Sequence, residues 1–474
     1  MPEGFPARIY SEAVLAHNFE YARTHFVDAL MDIHHAHTRM LAHCGIISRE
    51  ECAALVVALD GLELERIKAA RFDGSFEDLF YLVEKLLDER AGPHIAGKMH
   101  TARSRNDIAI TLYRMTARRE VLALLNAANE SRKVLLDLAA AHVETVMPAH
   151  THAQPAQPTT LAHYLLAACE FLARDGERLR AAYLRVNRCP MGAAAITTTG
   201  FPIDREETAR LLGFDGVAEN SYGAIAAIDY ITECAAVVAV AMVNLGKLVQ
   251  DLLLWSTREF GFLRLSDGFV QASSIMPQKR NPVALEHVRI LASRALGQAQ
   301  AVLTCAHNTP FGDINDSEDN LQPLVAAMFG DAQRALRLFA GLMGEAEFDR
   351  ERMACQAAKN FLTVTELADT LVRGAGMSFR EAHDVVAKAV RVCGTEDSAA
   401  ALTRALGRIR PDLRLTTEEI ERALDPRHFV RVRAATGGPA PERIAESLER
   451  ARAGLLEMEE WAARKLAALD HFLR

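Results

Sequence analysis

Apolar positions recur along this chain at helical spacing over unusually long stretches. Segment 110–145 sets Leu124, Ala128, Leu135 and Leu138 on one stripe. Segments 159–188, 223–257 and 283–305 are equally helix-compatible, rich in Ala, Leu, Glu and Arg. β-branched alternation is scarce. Pro148, Pro155 and Pro158 interrupt the first pair of segments, and Pro190, Gly192, Gly200 and Pro202 mark a loop region before the third. Helices near 30 residues, at about 1.5 Å per residue, run about 45 Å. The pattern predicts an all-α protein with a long central helical bundle. One chain rarely buries that much apolar helix surface, so it also predicts an oligomer.

Three domains follow from the breaks: a helical N-terminal domain over 1–107, the long-helix bundle over 108–353, and a smaller helical C-terminal domain over 354–474. Gly394, Pro411, Pro426 and Gly437-Gly438-Pro439 punctuate the last. The most apolar run, Cys234 to Gly246, is bracketed by Glu233 and Lys247. It is short of the roughly 20 residues a membrane span needs and reads as a core helix. The formal net charge of −8 and the lack of a basic stripe argue against nucleic-acid binding. Eight cysteines stand singly, as free thiols of a reducing compartment do. The N-terminal stretch lacks a basic region followed by an apolar run, so the expectation is a cytoplasmic protein without a membrane contact.

Three polar islands interrupt the helical background. The first, His100-Thr101-Ala102-Arg103-Ser104-Arg105-Asn106-Asp107, gathers arginines and neutral donors able to grip a carboxylate. Its plain reading is a capped helix start. The second, Thr151-His152-Ala153-Gln154-Pro155, offers a histidine for proton transfer near neutral pH, although most of the 17 histidines will be structural. The third, Ala272-Ser273-Ser274-Ile275-Met276-Pro277-Gln278-Lys279-Arg280-Asn281-Pro282, is the most specific. Its small residues and prolines suit a loop that orders over a ligand. His34, His35 and His37 lie close together, but no cysteine or second carboxylate joins them, and no metal site is expected. Without a glycine-rich phosphate loop, no cofactor is expected either.

The third island resembles the signature loop of the fumarase/aspartase superfamily. HTARSRND resembles the argininosuccinate-lyase form of the first signature region, and THAQPAQP resembles the second. Phe201 to Glu206, Asp251 to Phe262 and Gly437-Gly438 extend the likeness over nearly the whole chain. The resemblance implies a fumarase/aspartase-like fold and a homotetramer whose active sites draw on three subunits. It also implies a carbon–nitrogen lyase that removes an amine from an N-substituted aspartate by anti elimination, releasing fumarate. By the same resemblance Ser273 is the base, with Lys279 supplying the positive charge its oxyanion needs. His152 is the acid, with Glu286 as its carboxylate partner. Ser104, Arg105, Asn106, Thr151, Ser274, Met276 and Asn281 bind the succinyl half.

The amine half departs from the family pattern. A gapless match puts Asp313, Glu318 and Leu321 where argininosuccinate lyases carry Tyr, Gln and Lys. Ile33-His34 replaces Gly-Ser, Phe80 replaces a His, and Ala226-Ala227-Ile228-Asp229 replaces Ser-Asp-Arg-Asp. His34, Phe80, Asp313 and Glu318 are therefore expected to shape the amine pocket, and the leaving amine is expected not to be arginine. A genuine argininosuccinate lyase is the alternative. A lyase acting on a hydroxy or nitro compound, and a non-catalytic structural role, are more distant ones.

Overall fold

The computed structural model describes residues 5–413 and 415–471, and 69% of the chain is helical. An N-terminal layer holds α1 (Val27–His43), α2 (Arg49–Asp60) and α3 (Leu79–Ala91). The bundle follows: α4 (Arg105–Ala141), α5 (Leu161–Val186), α6 (Asp229–Trp255), α7 (Val283–Ala306) and α8 (Gln322–Gly344). At about 1.5 Å per residue, the 37 residues of α4 make a rod of about 55 Å. The helices close a ring in the order α4, α5, α6, α7, α8 and back to α4.

Leu124, Leu125, Leu135 and Leu136 of α4 lie fully inside this ring. Helix α6 turns Cys234, Val238, Leu245 and Val249 to the same core, and it is apolar enough and long enough to pass for a membrane span. Its other side is not covered: Val240, Val243 and Leu254 are exposed, and Ile290 on neighbouring α7 is 49% exposed. These residues recur at helical spacing, so they form an apolar face rather than scattered positions.

A second small core, built on Leu367, Leu371, Val386, Leu402 and Ile420, joins four helices: α9 (Val364–Ala375), α10 (Phe379–Cys393), α11 (Ala399–Ile409) and α12 (Thr417–Leu424). The chain then returns. Helix α13 (Pro441–His471) lays Ile444, Leu455, Met458 and Trp461 into the bundle core beside α4 and α5. The turn into it needs Gly438, because a Cβ there would stand 2.2 Å from the Arg433 carbonyl oxygen.

The proline-rich break between α4 and α5 is a hairpin, not an open loop. Strand β1 (Val146–Thr151) pairs antiparallel with β2 (Gln154–Thr160), with Pro148 opposite Pro158. A two-stranded ribbon has outward-facing backbone positions where a missing N–H costs no ladder bond, so it tolerates prolines that a wider sheet would reject.

Candidate active site

Ser104 caps α4. Its side chain and that of Asp107 form a capping box, with Ser104 N donating to Asp107 Oδ1 at 2.9 Å. Asp107 is completely buried, and its Oδ2 accepts from the backbone N–H groups of Gly192 and Ala194, each at 2.9 Å. One carboxylate thus ties the helix start to a distant loop. That loop carries Ala194, Ile196 and Thr198 at φ of 50°, 80° and 61°, a strained run that needs such an anchor. Asp107 closes the first island, and its place three residues after Ser104 is the signal of a capping box.

A cavity of about 280 Å³ opens beside this cap, lined by Asp78, Phe80, Arg105, Asn106, Asp313 and Glu318, among others. Arg105 Nη1 donates to Asp78 Oδ2 at 2.8 Å and to Glu77 Oε1 at 3.2 Å, and its guanidinium lies over the Tyr81 ring. The Asn106 amide donates to Asp313. Burial pushes the Glu318 carboxyl up to about 8, aided by its hydrogen bond to Asp313 and by that residue's charge. Tyr113 donates to Asp319 Oδ1 at 2.6 Å at the same wall. Leu321, where the family pattern has a Lys, is buried in the core.

His34 stands behind this wall. It is fully buried, its Nδ1 faces Arg103 Nη1 at 2.9 Å, and its ring meets that of Phe80 at 6.1 Å. Burial, and then the charge of Arg103, hold its pKa well below the usual imidazole value, so Nδ1 accepts from the guanidinium. Arg103 completes its pairing with Glu84 at 3.1 Å.

The other two islands lie at the opposite end of the bundle. Thr151 and His152 are exposed at the tip of the β1–β2 hairpin. His152 and Ala153 both take positive φ, 50° and 59°, the geometry of a tight two-residue turn and an unfavourable one for these residues. The third island is also a hairpin, with β3 (Gln271–Ala272) against β4 (Arg280–Asn281). Ser273 Oγ accepts from Met276 N at 3.1 Å, and Arg280 pins the base of the loop on the Leu265 carbonyl oxygen at 2.8 Å. Ser274, Met276 and Lys279 are exposed, Asn281 is partly covered, and Glu286 is exposed on the first turn of α7. A tilted ring contact of His150 with Phe260, centroids 5.8 Å apart, brings the second island's strand to the segment that precedes the third. Within one chain, Ser104, Arg105 and Asn106 meet Phe80, Asp313 and Glu318, while Thr151, His152, Ser273, Lys279 and Glu286 sit most of the length of α4 away.

Comparison with known proteins places this arrangement. A family described as "Lyase" matches residues 15–297, and one described as "Argininosuccinate lyase C-terminal" matches residues 361–431. Argininosuccinate lyase 2 of Agrobacterium fabrum is 42% identical over 96% of this chain and 92% of its own length. The chain belongs to the fumarase/aspartase superfamily, in its argininosuccinate-lyase-like branch. Argininosuccinate lyase of Methanoculleus marisnigri is 43% identical, over 94% of this lyase and 90% of its own chain. A solved EDDS lyase variant with bound fumarate superposes with a TM-score of 0.86 at 34% identity, covering 98% of this lyase and 94% of that chain. The fold is the superfamily's helical bundle, and the protein is a carbon–nitrogen lyase of the fumarate-releasing type.

Proposed function

We propose that this lyase eliminates an amine other than arginine from an N-substituted aspartate, releasing fumarate. The observation that carries the reading is the carboxyl-rich lining of the cavity beside Asn106. Asp78, Asp313, Glu318 and Asp319 line it, and its one lining arginine among the described residues, Arg105, is already paired with Glu77 and Asp78. A leaving amino acid would bring a carboxylate into this acidic wall with no free cation to receive it. A leaving group with a second amine would be welcomed by Asp313, and its positive charge would draw the proton off Glu318. Ethylenediamine, released as the leaving amine from N-(2-aminoethyl)aspartate, fits this chemistry.

Ser273 removes the proton next to a substrate carboxylate. The electron pair moves onto that carboxylate, and Lys279, Asn281, Thr151, Ser104 and Asn106 stabilise the extra charge. As the C–N bond breaks, His152, oriented by Glu286, protonates the leaving nitrogen. Ser274 and Met276 shape the loop above the succinyl group. The separation of the islands within one chain supports assembly of each site from three subunits of a homotetramer, with the bare apolar face of α6 and α7 as the surface that pairs. The described cysteines are all free, which supports a cytoplasmic setting.

Argininosuccinate cleavage is the second reading, favoured by the relatives at 42% and 43% identity. Purified protein is mixed with fumarate and arginine or ethylenediamine, and loss of fumarate absorbance is followed, with Ser273→Ala as control. Addition of ethylenediamine with arginine inert, and loss of about 10²–10⁴ in rate for the Ser273 variant, is the expected result. Reaction with arginine alone overturns the amine assignment and leaves an argininosuccinate lyase.

A further inference from the structure

A second cavity lies in the groove where α13 crosses α4 and α5. Its volume is about 340 Å³, within the roughly 300–1,000 Å³ usual for small-molecule sites. At its floor is Arg132 of α4, only 3% exposed. Among the described residues it makes no side-chain hydrogen bond or ion pair, and its Nε is buried without an acceptor. Glu177 and Glu459 lie near enough for their charges to act on it, but a buried guanidinium that makes no hydrogen bond is costly, and native structures seldom keep one without a use.

The rest of the cavity shows what would satisfy it. Arg132, Arg180 and Arg450 supply positive charge, and Glu170, Glu177 and Glu457 supply an equal number of carboxylates. Arg180 and Glu457 pair with each other at 3.3 Å. Glu177 has no ion pair among the described residues. The balance disfavours a polyanion and suits a molecule carrying one carboxylate and one ammonium. Ala173, Ala451 and Gly454 leave the space open, and nothing lies within 4 Å of where a Gly454 Cβ would be.

We infer that this groove binds a free α-amino acid, its carboxylate on Arg132 and its ammonium on Glu177. The site is separate from the elimination chemistry. A ligand here would brace α13 against the two helices that lead to the first and second islands.

The test is thermal-shift and calorimetric titration of the full-length protein with glycine, L-alanine, L-glutamate and L-arginine, each alone and with saturating fumarate. At least one is expected to raise the melting temperature and to bind equally well with fumarate present. In Arg132→Met that binding is expected to fall at least tenfold, while fumarate release stays at the wild-type rate. Glu177→Gln, an exposed change that leaves the fold alone, is expected to weaken it by a similar factor. The inference is overturned if no amino acid binds, if binding survives both substitutions, or if inorganic phosphate binds more tightly than any amino acid.

Discussion

The two ends of the bundle are built in opposite ways. At the start of α4 nearly every polar group has a partner within the chain: Asp107 on two backbone N–H groups, Arg105 on two carboxylates, Arg103 between His34 and Glu84. At the far end, His152, Ser274 and Lys279 stand in solvent on hairpin tips, pinned only at their bases. The contrast separates a part of the site that folding completes from a part that waits for neighbours. Interactions at the first end therefore bear on stability, and those at the second on assembly and turnover.

The largest expected effect comes from denying the second end its neighbours. Val243→Glu puts a charge into the bare stripe of α6, where burial against another subunit would cost several kcal/mol. Light scattering should then find a smaller assembly, circular dichroism an unchanged helix content, and fumarate release at least 100-fold lower. An intact, fully active assembly would remove the argument for shared sites. Next comes the anchored end. Asp107→Ala leaves the N–H groups of Ser104, Gly192 and Ala194 without an acceptor, at about 1–3 kcal/mol each where they are buried. A loss near 3 kcal/mol in denaturant unfolding is expected, whereas Lys279→Ala should stay within about 0.5 kcal/mol. Equal losses would erase the distinction between the ends.

The smallest effect sharpens the first end further. Glu318 holds its proton up to about pH 8 when folded but releases it at ordinary carboxylate pH when unfolded. The unfolded chain therefore binds fewer protons between those values, and this group's contribution to stability falls as pH rises from about 4.5 to about 8. Glu318→Gln should match wild type near pH 4.5 and become more stable by on the order of 1–2 kcal/mol at pH 8, after allowance for solvent screening. Melting temperatures of the pair across that range check it. A gap that fails to widen with pH would place the Glu318 carboxyl in an ordinary environment.

Much of this was legible from the sequence. Segments 110–145, 159–188 and 283–305 match α4, α5 and α7 closely, because long apolar stripes at helical spacing have few other solutions. Segment 223–257 is shorter in the structure, since the chain bends at Ala227-Ile228 before α6 begins at Asp229. Helix α8 tolerates Pro323 because it falls in the first turn, where its missing N–H costs nothing. Helix α13 hid behind its charge: arginines and glutamates interrupt the apolar stripe that meets the bundle. The polar islands stood out by composition. Their partners did not: Asp107 holds residues 85 and 87 positions away, and Asn106 meets Asp313 from 207 away, separations that no local pattern encodes.

The uninterrupted length of α4 has one more consequence. It fixes the distance and the rotation between its two ends in the same stroke. Adding one residue inside it would advance everything beyond by about 1.5 Å and turn it by about 100°, so Arg132 would leave its groove and the β1–β2 hairpin would point elsewhere. Insertions and deletions should be purged from this span over evolutionary time and collect instead in the turns of the 394–413 region, where a change of length moves neither hairpin nor cap.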